Sequence, residues 1–376
     1  MTERRNRKKF HILLAACMAV LVIALDVLFL VLPDRQSSET ENRNLQQFPK
    51  LSFNTLTQGR FESQFDDYIA DQFPGRDAWI SAQATISRFA GNTLSHNIFL
   101  GKDGYLIQAF TSPTVERYEQ ILSEFREMTE KSNGAAVYAI IAPTAAGILK
   151  DKLPANAFPE ISGDEDSFID RLKTDITGMG ISFIDLRKDI SDLAASGVQA
   201  YYRTDHHWTT DSAYEAYKAF SETAGTGTAD VKYQRLAAAD DFRGTLSASS
   251  GYRVSQTDTI FVYLSDDEPE YVMTNRDTGE KRASVYDTSF LGTRDKYALF
   301  MGGNHGELKI QTAADSDRSI LVIKDSYANC FIPFLISDFQ NIIIIDPRYY
   351  LGSIDQLIKD EGITDILFLY NAQTLS

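Results

Sequence analysis

Two adjacent histidines in the segment TDHHW are the residues whose types and order most clearly suggest chemistry. Asp205 precedes His206 and His207, and Trp208 follows them. In an extended backbone, residues two apart project to the same side, so we expect Asp205 to face His207 and His206 to point the other way. A carboxylate beside an imidazole fixes its tautomer and stabilises the imidazolium ion, as a general base requires. The spacing therefore predicts an acid–base pair of Asp205 and His207.

A serine at the end of an apolar run is the best candidate for the group that this base would activate. In ILVIKDSYANCF, a predicted buried strand ends at Lys324 and Asp325, and Ser326 opens the following turn and predicted helix. Such a hydroxyl lies at the C-terminal edge of a sheet, where the sites of open α/β sheets gather. The N–H groups of a helix start also suit a developing oxyanion. The alternative is that Ser326 only caps the helix.

The histidine pair also suggests a metal site, which the composition disfavours. A zinc-type site needs three or four ligands, and the chain has only five histidines, of which His11 lies in the N-terminal apolar region. Because Cys330 is the one cysteine outside that region, we predict no metal and no other cofactor. The manganese-dependent DHH phosphoesterases need upstream aspartate motifs that we do not find. The similarly named palmitoyltransferases need a cysteine where Trp208 stands.

The elements around these motifs alternate between strand and helix patterns. AAVYAIIAP, ISFIDLR, RSILVIKDS, NIIIIDPR and ITDILFLYN are typical of buried strands, whereas DSFIDRLKTDITGMG has the period of an amphipathic helix. TDHHW precedes a helix that begins near Thr209–Ser212. This alternation predicts an α/β fold with a mostly parallel central sheet and helices on its faces. Between about 225 and 312 the composition predicts an insertion of loops and short β-strands.

The N-terminus has the features of a membrane anchor. Five basic residues precede Phe10, and residues 12–32 are apolar except for Asp26. That length crosses a bilayer as a helix, and the basic cluster predicts a cytoplasmic N-terminus. A cleavable signal peptide would have a shorter apolar core, and a lipoprotein would turn polar after Cys17. We predict a cytoplasmic segment 1–11, a transmembrane anchor 12–32, a juxtamembrane linker with helices 33–95 and an extracytoplasmic α/β domain 96–376.

Charge and cysteine content argue against a nucleic-acid partner and against internal disulfides. Residues 33–376 contain 32 basic and 50 acidic residues, a net charge of −18, so a polyanionic nucleic acid is not an expected partner. Cys17 lies in the predicted anchor and cannot pair with Cys330 in the exported domain. We therefore expect no internal disulfide.

Seven segments, in this order, make the chain resemble a known family. They are SETENRNLQQFP, DQFPGR, GKDGYL, TDHHWT, FRGTL, MGGNHGELKIQT and KDSYAN. From about residue 38 to its C-terminus, the chain resembles the DHHW-motif family of exported bacterial proteins, which is similar to the SGNH-hydrolase-like domains of alginate O-acetyltransferases. The resemblance implies a three-layer SGNH-hydrolase-like fold, Ser326 as nucleophile, and Asp205 and His207 as its acid–base pair. Here the pair precedes the serine, and Lys324 stands where ordinary SGNH hydrolases have the glycine of Gly-Asp-Ser.

Four further positions are candidates for substrate contacts, each with a structural alternative. Gly303 and Asn304 are similar to the glycine and asparagine that supply oxyanion donors in SGNH enzymes, although Gly-Gly-Asn equally suits a tight turn. Arg348 follows the next predicted strand and would orient an acyl or sugar group, or else form a surface ion pair. Trp208 would stack on a sugar ring or pack in the core.

The residues and the resemblance together predict an exported, membrane-anchored carbohydrate O-acetyltransferase or acetylesterase of the cell envelope. Ser326 would form an acyl-serine and pass the acetyl group to a sugar hydroxyl or to water. The expected partners are a cell-surface polysaccharide and, for a transferase, a multi-pass membrane acyltransferase, because one span cannot carry cytoplasmic acyl groups outward. The alternative function is a catalytically inactive polysaccharide-binding or assembly protein.

Overall fold

The chain divides into two compact units, Met1–Ala90 and Gly91–Ser376. The computed structural model describes residues 2–38, 43–49, 60–89, 91, 93–155, 157, 163–227, 231–252 and 254–376. The predicted start of the α/β domain at residue 96 stays a prediction.

The first unit begins with the long apolar helix α1 (Thr2–Val31). Within it, Lys9–Val31 has a mean hydropathy of 2.9, and this stretch is long and apolar enough to cross a membrane. The elements that follow are the antiparallel strands β1 (Ser37–Ser38) and β2 (Arg43–Asn44) and the helices α2 (Arg60–Gln72) and α3 (Arg76–Phe89). The two helices are separated by a turn in which Gly75 has a φ of 67°. Residues 39–42 and 50–59 of the predicted linker lie outside the described residues.

The second unit is built around one large mixed sheet. Its strands are β6 (Ala136–Ala142), β7 (Ser182–Ile184), β10 (Tyr271–Asn275), β11 (Lys281–Arg282), β12 (Glu307–Thr312), β13 (Ser319–Lys324), β14 (Asn341–Ile345) and β15 (Asp365–Asn371). They are ordered β11-β10-β12-β14-β13-β15-β6-β7. The four pairings from β14 to β7 are parallel, and the three at the β11 end are antiparallel. The sheet is therefore mixed, with its parallel part extending to the β7 edge and its antiparallel part ending at β11.

Smaller elements surround this sheet. One small sheet contains β3 (Leu94–Ser95), β4 (Ile98–Leu100) and β5 (Leu106–Gln108), and another pairs β8 (Gln234–Phe242) with β9 (Asp258–Leu264). The helices are α4 (Val115–Lys131), α5 (Ala145–Ile148), α6 (Glu165–Thr177), α7 (Arg187–Ala195), α8 (Thr210–Ala224), α9 (Thr245–Ser249) and α10 (Ile354–Asp360). The 3-10 helices are Lys102–Gly104, Lys150–Lys152, Thr288–Gly292, Lys296–Leu299, Ser326–Cys330, Ile332–Ser337 and Ala372–Thr374.

Alternation along the central strands covers both faces of the sheet. On β13, Ile320 and Val322 pack in one apolar cluster with residues of α7 and α8, whereas Leu321 and Ile323 pack in a second cluster with residues of α4, α6 and α10. Because side chains alternate along a strand, a run of consecutive apolar residues is what a sheet buried on both faces requires. The predicted three-layer α/β architecture is confirmed.

The segment predicted as a β-rich insertion divides between two sheets. Strands β8 and β9 form an antiparallel ribbon of their own, but β10 and β12 extend the central sheet as its antiparallel end. Part of residues 225–312 is therefore continuous with the main sheet.

The parallel strands of the central sheet end at one edge. The residues that follow them there include Pro143 after β6, Asp325 after β13, Asp346 after β14 and Ala372 after β15. In open α/β sheets this C-terminal edge is where sites form, and the predicted nucleophile lies on it.

Candidate active site

A short loop closed by a β-bridge presents the DHHW motif. Tyr201 pairs with Trp208 in antiparallel fashion, so the residues between them form a tight loop. The buried carboxylate of Asp258, the first residue of β9, accepts hydrogen bonds from the N–H and the hydroxyl of Thr204 at 2.9 and 2.6 Å. These bonds fix the backbone immediately before the acidic residue of the motif.

Asp205 is buried and is held from two sides. Its Oδ1 accepts the backbone N–H of His207 at 3.0 Å, and its Oδ2 accepts the N–H and the hydroxyl of Thr245 at 2.7 and 3.1 Å. Gly244 allows this approach, because a Cβ there would lie 2.1 Å from Asp205 Oδ2. Burial opposes ionisation of Asp205, but the neighbouring imidazoles and the hydrogen bonds from His207 outweigh it and hold the carboxyl pKa well below its usual range.

His207 connects this carboxylate to the predicted nucleophile. Its Nδ1 lies 2.5 Å from Asp205 Oδ1, and its Nε2 lies 2.7 Å from Ser326 Oγ. The ring stacks on that of Tyr297, with centroids 3.9 Å apart and an interplanar angle of 15°. When Nδ1 donates its hydrogen to the carboxylate, Nε2 becomes the acceptor for the serine hydroxyl. Asp205, His207 and Ser326 thus lie in one hydrogen-bonded row.

His206 does not point away from this row, contrary to the expectation from an extended backbone. Its ring centroid is 3.9 Å from that of His207, and its Nδ1 lies 2.9 Å from the hydroxyl of Thr245. The reason is that the motif lies in a loop, where the alternation of a strand does not apply. Burial, together with repulsion from His207, lowers the pKa of His206 to about 4, so this ring is neutral near pH 7.

The Asp-His-His cluster also has the composition of a metal site, but its ligand atoms are already engaged. Asp205, His206 and His207 offer ligand atoms within 4.8 Å of one another. Both nitrogens of His207 and the Nδ1 of His206 take part in hydrogen bonds. Among the described residues this leaves His206 Nε2 as the one ring nitrogen of the pair without a hydrogen-bond partner. A metal ion would have to break the row to Ser326, so the donor set fits an acid–base site better.

Ser326 is positioned by the carboxylate that precedes it. Asp325 accepts the N–H of Tyr327 at 2.9 Å through Oδ1, and the N–H of Asn371 at 2.8 Å and the hydroxyl of Thr374 at 2.6 Å through Oδ2. It therefore ties the turn to the end of β15. The helix predicted after the serine is a five-residue 3-10 helix. Asp325 accepts the Tyr327 N–H. The backbone N–H of Ser326, in contrast, has no acceptor among the described residues.

Lys324 is an unusual residue at the end of a buried strand, since its side chain is 1% exposed. Its Nζ donates to Asn304 Oδ1 at 2.8 Å and to Asn329 Oδ1 at 2.7 Å, and lies 3.7 Å from Asp346 Oδ2. Two amide oxygens thus accept hydrogen bonds from the ammonium group, and the Asp346 carboxylate forms an ion pair with it. Burial lowers the pKa of Lys324 to about 8, and the nearby carboxylates only partly oppose this.

Gly303 and Asn304 lie in a tight turn, and they differ in the donors they keep. The N–H of Gly303 donates to the carbonyl of Phe300 at 3.1 Å, so of the two interpretations of Gly303 the tight turn fits its backbone. Asn304 is exposed, and its Oδ1 accepts both Lys324 Nζ and the Nδ2 of Asn329, the latter at 3.2 Å. With Oδ1 occupied, the Nδ2 of Asn304 points away from Lys324 and has no acceptor within the described part of the chain.

Arg348 and Trp208 are placed differently from each other. Arg348 forms a bidentate pair with the buried carboxylate of Asp346, at 2.9 and 2.6 Å, while half of its side chain stays exposed. Of the two interpretations of Trp208, packing in the core fits its position, because its ring is fully buried and its Nε1 donates to the carbonyl of Tyr327 at 2.9 Å. A ring enclosed in this way packs and positions the turn after Ser326.

The sequence did not single out two residues that contact the row. Thr245 lies in the FRGTL segment, so a signal existed, but the segment gave no role to its hydroxyl. Tyr297 lies in a 3-10 helix, and its hydroxyl donates to the carbonyl of Ser326 at 3.2 Å. No local pattern identifies Tyr297, because its contact with His207 depends on tertiary packing.

Comparisons with known proteins identify the family and the fold of the chain. A profile of the family described as DHHW protein matches residues 82–345. A crystal structure of a DHHW family protein from Eubacterium siraeum is 27% identical and superposes with a TM-score of 0.60, covering 73% of this chain and 89% of that one. PatB1 of Bacillus cereus, in a structure with a sulfonyl adduct, is 22% identical, with a TM-score of 0.61 and coverage of 75% and 97%. None of the curated proteins compared with the chain is significantly similar to it.

A third structure, the O-acetyltransferase domain of Pseudomonas putida AlgJ, is 14% identical with a TM-score of 0.48, covering 74% of this chain and 92% of that one. That TM-score is too low to support an inference about function. The likeness to PatB1 shows the fold alone. The predicted family resemblance and the SGNH-hydrolase-like α/β fold are confirmed.

Proposed function

The chain belongs to the DHHW protein family, and we propose that it is an exported, membrane-anchored carbohydrate O-acetyltransferase or acetylesterase of the cell envelope. The observation that carries the proposal is the row in which His207 lies 2.5 Å from Asp205 and 2.7 Å from Ser326. These distances meet the requirement that a nucleophile and its base lie within hydrogen-bond reach, with the base oriented by a third group.

In the first half-reaction, Ser326 Oγ attacks the carbonyl carbon of an acetyl donor while its proton moves to His207 Nε2. The carbonyl electrons move onto oxygen, and the resulting tetrahedral intermediate collapses when His207 returns the proton to the leaving oxygen. Asp205 keeps its negative charge throughout and stabilises the imidazolium. The product is an acetyl-serine ester and a released alcohol.

In the second half-reaction, the acceptor is a sugar hydroxyl or water. The acceptor gives its proton to His207 Nε2 and forms a bond to the acetyl carbon, and the Ser326 alkoxide then recovers a proton from the imidazolium. A sugar acceptor gives the transferase and water gives the esterase. Both outcomes use the same row, so the choice lies in which acceptor reaches the acetyl carbon first.

The oxyanion in this proposal is stabilised by the backbone N–H of Ser326 and the Nδ2 of Asn304. Lys324 acts through Asn304, because its ammonium occupies Oδ1 and so directs the amide nitrogen outward. In this proposal Lys324 is a positioning residue. It stands where ordinary SGNH hydrolases have the glycine of Gly-Asp-Ser, and its contact with Asn304 holds an oxyanion donor in place.

Arg348 lies at the same strand edge and is held rigidly by Asp346. Its exposed half offers guanidinium donors that orient an oxygen of the acyl donor or of the sugar. The ion pair and the orienting role are compatible, because the pair uses Nε and one terminal nitrogen and leaves the other terminal nitrogen available.

Helix α1 is the anchor in this proposal, with residues 1–11 in the cytoplasm and the α/β unit outside it. The five basic residues before Phe10 set this orientation. A transferase at that location needs activated acetyl groups delivered across the bilayer, so its partner is a multi-pass membrane acyltransferase. The acceptor is a cell-surface polysaccharide.

Acetylation of the serine tests this function directly. The full chain in detergent micelles is mixed with 4-nitrophenyl acetate, and we expect a burst of nitrophenolate with acetyl-Ser326 found by peptide mass spectrometry. Ser326→Ala removes the burst, whereas Ser196→Ala, which changes an exposed serine, keeps it. Binding of envelope polysaccharide by a wild-type chain that shows no burst would instead support the inactive binding protein.

A further inference from the structure

Helix α3 has a solvent-facing side without charge. No charged residue occurs between positions 78 and 87, although 24% of the chain is charged. Trp79 is 53% exposed and Ile86 is 69% exposed, and because they are seven residues apart they lie on one side of the helix. Ala82 and Gln83, exposed between them, are also uncharged. An uncharged helix face with an exposed tryptophan fits a membrane surface, where tryptophan is enriched.

The hairpin of α2 and α3 is attached to the end of the apolar helix α1. The ring of Tyr68 on α2 packs edge-on against Phe29, with centroids 5.7 Å apart, and its hydroxyl donates to Asp34 Oδ1 at 3.0 Å. Phe29 lies two residues before the end of α1 at Val31. Helix α2 therefore runs beside the last turn of α1.

Arg35 connects the start of α3 to the segment that follows the end of α1. Its backbone N–H donates to Gln72 Oε1 at 2.9 Å, and its Nη1 donates to Asp77 Oδ2 at 3.3 Å. Arg35 follows Val31 by four residues, which span at most about 14 Å. Trp79 is two residues beyond Asp77, on the first turn of α3, so it lies near the point where α1 ends.

We propose that the face of α3 from Trp79 to Ile86 lies in the headgroup region of the bilayer, on the side where α1 leaves the membrane. The occupant of this face is the phospholipid surface, because α1 brings the hairpin to that depth. Tryptophan is enriched at this boundary, where its ring is apolar and its N–H still finds partners. The acidic side of α2, with Glu62, Asp66 and Asp67 exposed, stays in water.

This inference rests on the proposed anchor but not on the proposed chemistry. With α1 in the bilayer, the hairpin gives the chain a second contact with the membrane. That contact restricts rotation of the first unit about the axis of α1, in the way that an interfacial helix restricts other membrane proteins.

Tryptophan quenching by brominated lipids tests the proposal in the full chain. The chain has only Trp79 and Trp208, and Trp208 is fully buried. The chain is reconstituted in nanodiscs of phosphatidylcholine with or without bromine on the acyl chains near the headgroup. We expect bromine to reduce the emission of the wild type and to leave that of Trp79→Phe unchanged, because Trp208 is shielded.

The outcomes separate the anchor from the interfacial face. A chain that does not enter nanodiscs contradicts the anchor itself. A chain that enters nanodiscs but shows no quenching of Trp79 by bromine overturns the proposal for α3. Quenching by acrylamide then distinguishes a Trp79 exposed to water from one covered by protein, and both results contradict the proposal. Ile86→Asp provides a second readout: we expect it to weaken the quenching of Trp79, since a charge at that position favours water.

Discussion

The Nζ of Lys324 lies 2.8 Å from the Oδ1 of Asn304, and this bond joins the end of a buried strand to an exposed turn. The exposed amide of Asn304 is also held by the Nδ2 of Asn329 at 3.2 Å, and Lys324 Nζ in turn holds the Oδ1 of Asn329 at 2.7 Å. Lys324 therefore orders both amides and, through them, the direction in which the Nδ2 of Asn304 points. In the proposed mechanism that nitrogen faces the oxyanion formed at Ser326.

Lys324 and Asn304 are expected to act as one unit in catalysis. Asn304→Ala should slow acetylation of Ser326 by about 10²-fold, the usual cost of one oxyanion donor. Lys324→Met should slow it by a similar factor, because the amide loses its orientation. If Lys324 acts through Asn304, the double variant should be no slower than either single variant.

The matched measurement is the burst rate of all four proteins, with folding checked by circular dichroism. Multiplication of the two single effects in the double variant would show that Lys324 does not work through Asn304. Lys324→Arg is a further variant for this measurement, since a guanidinium keeps the charge but does not fit between the two amide oxygens and the Asp346 carboxylate.

Stability should depend on pH through Lys324. Its folded pKa is lowered from 10.5 to about 8 by burial, so between those values the unfolded chain holds a proton that the folded chain releases. The free energy of unfolding therefore rises with pH across this window, by about 3 kcal/mol from this group alone. Urea unfolding at a series of pH values should show this rise in the wild type and lack it in Lys324→Met. Parallel curves for the two proteins would contradict the assigned pKa.

Gly244→Ala should disturb the acid–base pair although it adds only a methyl group. The new Cβ would lie 2.1 Å from Asp205 Oδ2, so the buried carboxylate must move and His207 must follow it. A displacement of about 1 Å costs on the order of 10²-fold in rate. Gly292→Ala is the matched control, because a Cβ there meets nothing within 4 Å and Gly292 has no positive φ. Equal burst rates for the two variants would mean that Asp205 does not need its observed position.

Trp208→Phe should lower stability. The substitution removes the indole donor to the Tyr327 carbonyl and leaves that buried oxygen with only the weak thiol donor of Cys330 at 3.7 Å, at a cost of about 2 kcal/mol. Trp79→Phe changes an exposed ring and should leave the unfolding midpoint in urea unchanged. A Trp208→Phe protein that unfolds like the wild type but no longer binds polysaccharide would support the sugar-stacking role instead.

The sequence identified the row of Asp205, His207 and Ser326 because those residues carry local signals. An acidic residue beside a histidine, and a serine after an apolar strand, are recognisable without coordinates. The distances between these residues cannot be predicted from such local signals. Ser326 and His207 are 119 residues apart, and the sheet order that brings them together follows from packing of the whole unit.

Predictions failed where local geometry departed from a regular element. The direction of His206 was wrong because the motif lies in a loop. For Gly303 the sequence left an oxyanion donor and a tight turn open, and three consecutive residues with positive φ, Met301 to Gly303, close a turn that uses its N–H. The contacts of Lys324 were not foreseeable, since they require a turn and a strand end from different parts of the chain.

Covalent labelling at the serine tests the central claim most directly. The full chain is treated with a fluorophosphonate, which reacts with serines activated by a general base, and the modified peptide is identified by mass spectrometry. If His207 activates Ser326, we expect one adduct, on Ser326, which disappears in Ser326→Ala and is strongly reduced in His207→Ala. A folded wild-type chain that remains unlabelled, or one whose label persists in Ser326→Ala, would contradict it.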